Sequence, residues 1–186
     1  MTSITSLIQG LNYAVYSATQ AVGSVPLYHI MSYVVESYYV VLPVVLLFLL
    51  YKRDRNVFVF ALAIVVLYAI GDIIKTVVRE PRPCTVGGGY MQGYCDTGYS
   101  FPSDHATVLT GLALFIKYRY VRALYLVWVA VVLFGKVFLA QHYFTDIAGG
   151  IVISLAIAGL LLAFSSRING FFAGIFNTIF GKVYKI

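Results

Sequence analysis

Five apolar runs, at residues 26–51, 57–78, 106–118, 122–140 and 147–165, decide what this chain of 186 residues can fold into. A bilayer core about 30 Å thick takes roughly 20 apolar residues per helical span. Four of the runs meet that length, and the third lengthens to a span when it starts at Ser103. With 61% hydrophobic and 11% charged residues, the chain holds more apolar sequence than one globular core can bury. Strand-type alternation with regular turn signals is missing, which argues against a barrel. No apolar run leads into a small-residue cleavage site, and no repeat or low-complexity linker divides the sequence. The expectation is an all-α integral membrane protein: a bundle of about five transmembrane helices, or six if residues 4–22 also cross, forming one domain over residues 1–186.

The formal charge of +6 does not point to nucleic acid, because of where the cations fall. Nine of the thirteen Lys and Arg form three clusters: Lys52, Arg53 and Arg55; Lys117, Arg119 and Arg122; Arg167, Lys182 and Lys185. These alternate with the spans so that all three lie on one side, which the positive-inside rule makes the cytoplasm. The remaining four, Lys75, Arg79, Arg82 and Lys136, fall toward the outer side, together with the acid-and-histidine groupings. Polar chemistry gathered at one end of a bundle is a functional-site hypothesis.

Both ends of the chain have interfacial character. Residues 4–22 are uncharged but sprinkled with Ser, Thr, Gln and Asn, which suits a helix lying at the outer surface. Phe171, Phe172, Ile175, Phe176, Ile179, Phe180 and Val183 recur at helical spacing near Lys182 and Lys185, which suits an amphipathic helix on the anionic inner leaflet.

Three polar groups face outward. In the first, Lys75 and Arg79 share a helical face, and Pro81 and Pro83 stop the helix so that Arg82 sits in a turn. Snorkelling cations at a membrane end are the plainer explanation of that group. In the second, Pro102 and Ser103 resemble a helix start, with Ser103 as N-cap and Asp104 in the first turn. His105 has no such role, and a helix N-terminus is also a site for phosphate. In the third, His142 and Asp146 lie four apart, so the carboxylate can fix the imidazole tautomer. That arrangement activates an imidazole nucleophile; equally, Asp146 can simply cap the fifth span. Together these residues make a cationic cradle around two histidines, suited to phosphoryl transfer by positioning and charge stabilisation. Neither a metal nor a cofactor is expected, since the cations would repel a metal ion.

The order and spacing of these groups resemble the three-motif signature of the type 2 phosphatidic acid phosphatase superfamily, whose helical core is shared with vanadium haloperoxidases. Lys75 and Arg82-Pro83 match its first motif, Pro102, Ser103 and His105 its second, and His142 and Asp146 its third. Asp104 replaces a Gly of the second motif, and Gly135-Lys136 replace Ser-Arg of the third. Lys136 thereby keeps the charge but loses the planar fork of Arg. The resemblance implies that His142 attacks phosphorus to form a phosphohistidine, that Asp146 orients it, and that His105 protonates the leaving oxygen and later activates water. Lys75, Arg82, Ser103, Lys136 and the backbone of Asp104 and His105 would hold the phosphoryl oxygens, with Arg79 an added candidate outside the motif.

Pro-Ser-Asp-His resembles the form found in bacterial undecaprenyl diphosphate phosphatases of this superfamily. The implied substrate is a polyprenyl diphosphate, undecaprenyl or dolichyl, cleaved to the monophosphate on the extracytoplasmic face in lipid carrier recycling. Phosphatidate or phosphatidylglycerol phosphate is the alternative substrate, and a non-catalytic anion or lipid transporter the alternative of another class. No protein partner and no nucleic acid is implied. Asp104 beside a phosphate needs an offsetting cation, for which Arg79 and Lys136 are the expected choices. Cys84 and Cys95 are on the same outer side, where they are either bridged or two free thiols.

Overall fold

The computed structural model describes residues 2–86, 95–181 and 183. Lys182 and Lys185 and the centre of the loop between the two cysteines lie outside the described residues. The described chain is helical: α1 (Thr2–Ala21), α2 (Val25–Glu36), α3 (Tyr38–Tyr51), α4 (Asn56–Val78), α5 (Pro83–Val86), α6 (Asp104–Leu112), α7 (Arg119–Phe138), α8 (Phe144–Ala163) and α9 (Ser165–Phe180). Among the described residues, four helical segments are long and apolar enough to cross a membrane, at Val25–Tyr51, Asn56–Val86, Arg119–Phe138 and Phe144–Ala163. Val44, Leu47, Val65, Val77, Val127 and Leu155 on these segments are exposed, as lipid-facing side chains are.

The first run is a broken span rather than one helix. α2 and α3 meet at Ser37, whose hydroxyl accepts the Trp128 Nε1–H at 2.9 Å and donates to the Val34 carbonyl. The third run is shorter than expected. α6 continues only through a 3-10 turn, Ala113–Phe115, because Ile116 is extended (φ −90°, ψ 100°). A helix from 104 to 115 rises about 18 Å, well short of the bilayer core. Its position explains how it is stable: Ala106, Thr107, Leu109, Gly111 and Leu112 are buried against α4 and α8, so protein rather than lipid surrounds it.

The close fit of α6 on α8 fixes the site. A Cβ at Gly150 would lie 2.8 Å from Ala106 Cβ and 3.1 Å from the Ser103 carbonyl; one at Gly111 would lie 2.7 Å from Ser154 Oγ. Bare glycines therefore let α8 approach the start of α6.

The terminal helices bind opposite ends of the bundle. α1 is tied to the α7–α8 corner: Asn12 Nδ2 donates to Thr145 Oγ1 at 2.8 Å, the Thr145 N–H donates to Asn12 Oδ1 at 3.2 Å, and Gln20 Nε2 donates to the Phe138 carbonyl at 3.2 Å. At the other end the buried Asn169 of α9 accepts the Val59 N–H at 3.1 Å and donates to Asn56 Oδ1 at 3.2 Å. Phe58 stacks on Phe172, while Phe171, Ile175 and Ile179 are exposed, as the amphipathic pattern predicts. Arg53, Arg55 and Lys117 line a cavity at this end with Ser165 and Asn169, and Lys117 pairs with the buried Asp54 at 3.1 Å.

Cys84 and Cys95 form a disulfide, with Cα atoms 5.9 Å apart. Chain entropy over so short a loop stabilises the folded state by about 3 kcal/mol. The double variant Cys84→Ser/Cys95→Ser is expected to melt at lower temperature in detergent, and the denatured, unreduced wild type to take up no thiol reagent. Labelling of both cysteines without reduction would contradict the bridge.

Candidate active site

Four helix ends meet at the α1 end of the bundle and bring the sequence motifs together. α4 ends at Arg79, which is left-handed (φ 56°) and donates its N–H to the Lys75 carbonyl at 3.0 Å. The chain then turns through Pro81 and Pro83, placing Arg82 inward and 5% exposed. α6 starts at Ser103 with extended backbone (φ −70°, ψ 123°). Lys136 is in the last turn of α7 and His142 in the connection to α8, whose first turn carries Asp146.

His142 and Asp146 form the centre of the cluster. Nδ1 of His142 lies 3.3 Å from Asp146 Oδ2, which also accepts the Tyr143 N–H at 2.8 Å and the Ser100 hydroxyl. Asp146 thus caps α8 and holds the imidazole at once. With Nδ1–H directed at the carboxylate, Nε2 carries the lone pair. That lone pair faces Arg82 Nη1 at 3.2 Å, and the same Nη1 donates to the Gln141 carbonyl at 2.9 Å. Burial pulls the His142 pKa below its ordinary value, against the opposing bond to Asp146, so the neutral, nucleophilic form is favoured.

The cations are individually braced. Lys136, 1% exposed, donates to Gln141 Oε1 at 2.7 Å. Lys75 is ion-paired with Asp104. The cation paired directly with Asp104 is therefore Lys75, which the sequence does not single out for that role; Lys136, one of the two expected choices, also attracts Asp104 across the cavity, whereas Arg79 does not pair with it. Arg79 itself is exposed, its Nε donating to the Thr76 carbonyl at 2.9 Å, and it stands apart from the cluster. Its helix ends at that residue, so the shared face with Lys75 is lost.

Five buried polar atoms of the cluster lack a hydrogen-bond partner among the described residues: Arg82 Nε, Ser103 Oγ, Asp104 Oδ1, His105 Nε2 and Asp146 Oδ1. Ser103 is fully buried and makes no side-chain cap bond, and its Oγ has no hydrogen-bond partner among the described residues. His105 Nε2 is buried without a hydrogen-bond partner among them, its ring edge-on to Tyr38 with centroids 4.7 Å apart. A cavity of about 420 Å³ runs from Arg82, Lys136, Asp104 and His105 along Leu42, Ile64, Tyr68 and Leu109. It offers cations at one end and an apolar wall along its length. His142 lies behind Arg82, so the guanidinium must shift for an electrophile to reach Nε2.

Ser100, Gln141 and Asp96 are additions that spacing alone did not single out. Ser100 is held by its N–H to the Glu80 carbonyl at 2.7 Å and sits 3.4 Å from His142 Nδ1. Asp96 Oδ2 is 3.7 Å from Arg82 Nη1 and 3.8 Å from Lys136 Nζ.

Residues 56–169, from the first turn of α4 into α9, match the family model of the PAP2 superfamily. The chain belongs to the PAP2 superfamily. The matched region contains every motif residue from Lys75 to Asp146. An undecaprenyl-diphosphatase of Sulfolobus acidocaldarius is 28% identical over 117 residues, which cover 60% of this chain and 57% of that protein. The chain thus matches a little over half the length of this relative. The crystal structure of Aquifex aeolicus LpxE superposes with a TM-score of 0.71 at 19% identity, covering 82% of this chain and 95% of LpxE. A transmembrane PAP2-type phosphatidylglycerolphosphate phosphatase from Bacillus subtilis superposes with a TM-score of 0.67 at 19% identity, covering 87% of this chain and 88% of that one. These likenesses establish the fold, a multi-pass helical membrane protein of PAP2 type.

Proposed function

We propose that the protein is a metal-independent lipid phosphatase that hydrolyses a polyprenyl diphosphate to the monophosphate and inorganic phosphate through a phosphohistidine at His142. The observation that carries this reading is the bonded His142–Asp146 pair lying among buried cations, with an unpartnered Ser103 hydroxyl and His105 nitrogen beside it. Nε2 of His142 attacks the terminal phosphorus as the bond to the leaving oxygen breaks, and His105 supplies a proton to that oxygen. His105 then takes a proton from water, which attacks the phosphohistidine and restores His142. Lys75, Arg82, Lys136, Ser103 and the first N–H groups of α6 hold the phosphoryl oxygens. Three cations supply there the charge that a divalent metal would otherwise bring, so chelators are expected to leave turnover intact.

The polyprenyl reading rests on Pro-Ser-Asp-His at 102–105, on the relative from Sulfolobus acidocaldarius, and on the apolar wall of the cavity. The positive-inside arrangement and the disulfide support an extracytoplasmic site and a role in lipid carrier recycling. Phosphate release from a panel of undecaprenyl diphosphate, phosphatidate and phosphatidylglycerol phosphate tests it. The diphosphate should be favoured in kcat/KM, with activity unchanged by chelator. Asp104→Gly, which frees Lys75 from its ion pair, is expected to stay active but lose preference for diphosphate over monophosphate lipids. An unchanged ratio would remove Asp104 from the argument for a diphosphate.

A further inference from the structure

Asp96 stands where an incoming phosphate must go. Its carboxylate reaches both Arg82 and Lys136, at 3.7 and 3.8 Å, and no other acidic side chain bridges two cradle cations among the described residues. The partners differ sharply in exposure: the two cation side chains are 5% and 2% accessible, that of Asp96 48%. Two neighbouring buried cations repel one another and are poorly solvated, so an anion between them is stabilising whether or not substrate is present. Glu36 and Asp104 also border this cavity and attract Lys136, but neither is paired with it or with Arg82 as Asp96 is, and Gln141 supplies Lys136 only a neutral oxygen. Asp96 is also tethered. It follows Cys95, whose disulfide partner Cys84 is fixed by its N–H to the Ala140 carbonyl at 2.9 Å, next to the Gln141–His142 stretch.

We propose that Asp96 is a displaceable counter-ion, filling the anion site of Arg82 and Lys136 when it is empty and competing with phosphate for it. This rests on the phosphate-binding role assigned above to those two cations. An exposed carboxylate can swing out when a phosphoryl group of higher charge arrives. Its return weakens the hold on product phosphate, so the residue favours product release.

The test is a calorimetric titration of the purified, disulfide-bonded full chain with inorganic phosphate, beside phosphate inhibition of hydrolysis. Asp96→Asn is expected to bind phosphate about fivefold more tightly, the size of one partly exposed ion pair. Its inhibition constant should fall in parallel. Asp96→Ala should act in the same direction, and Asp96→Glu should restore the wild-type value. Unchanged or weaker phosphate binding in folded Asp96→Asn and Asp96→Ala, with hydrolysis intact in wild type, overturns this inference alone. A wild type that neither binds phosphate nor hydrolyses lipid phosphates overturns the proposed function and this inference with it.

Discussion

His142→Ala is expected to lower kcat by at least about 10⁴-fold, the scale of removing a nucleophile, while leaving the melting temperature near that of wild type. In the proposed mechanism nothing replaces this nucleophile, because its Nε2 would make the bond to phosphorus. Its packing role is smaller, since it sits in the connection between α7 and α8 rather than in the apolar core. Asp146→Asn is expected to keep residual turnover, as orientation of the ring is impaired rather than the chemistry removed. As the proposed nucleophile, the same imidazole is expected to set the acid limb of the pH profile. Burial disfavours the imidazolium, so His142 stays neutral down to a pH below the ordinary value of about 6.5. The fall in kcat/KM should therefore begin below that value. Full activity in purified His142→Ala would remove the nucleophile assignment.

Arg82→Lys is expected to cost about 10² to 10³ in kcat, although it keeps the charge. One nitrogen of the guanidinium bridges the Gln141 carbonyl and His142 Nε2, at 2.9 and 3.2 Å. A lysine ammonium on a flexible stem would not hold the planar two-pronged geometry needed when that contact is exchanged for phosphoryl oxygens. Steady-state kinetics on the diphosphate lipid check this, with the melting temperature confirming that the variant folds. Activity within a few-fold of wild type would assign Arg82 a role in bracing the 139–143 connection only.

The apolar spans and the motif residues were legible because bilayer thickness and helical periodicity impose them directly on the sequence. Four segments long and apolar enough to cross, the helical α1 and α9, and the convergence of Lys75, Arg82, Ser103, His105, Lys136, His142 and Asp146 follow from those rules. Tertiary effects hid the rest. The length of α6 is set by the extended Ile116 and by burial between α4 and α8, where a helix need not match the lipid. Arg79 was misleading because the four-residue rule applies only while the helix continues, and α4 ends at that residue. Ser100 and Asp96 reach the site through a turn and a disulfide-closed loop, neither of which has a periodic signature. Gln141 offered one signal, its place next to His142, but its bond to Lys136 depends on the turn that ends α7.

The central claim, covalent chemistry at His142, is tested most directly by trapping the intermediate. Purified protein would be mixed with polyprenyl diphosphate labelled in its terminal phosphate, then quenched in alkali, where phosphohistidine survives. The expected result is label on the peptide containing His142, absent in His142→Ala, with both its appearance and its loss slowed in His105→Ala. Steady phosphate release with no label on the protein at any quench time, or label persisting in His142→Ala, would contradict it.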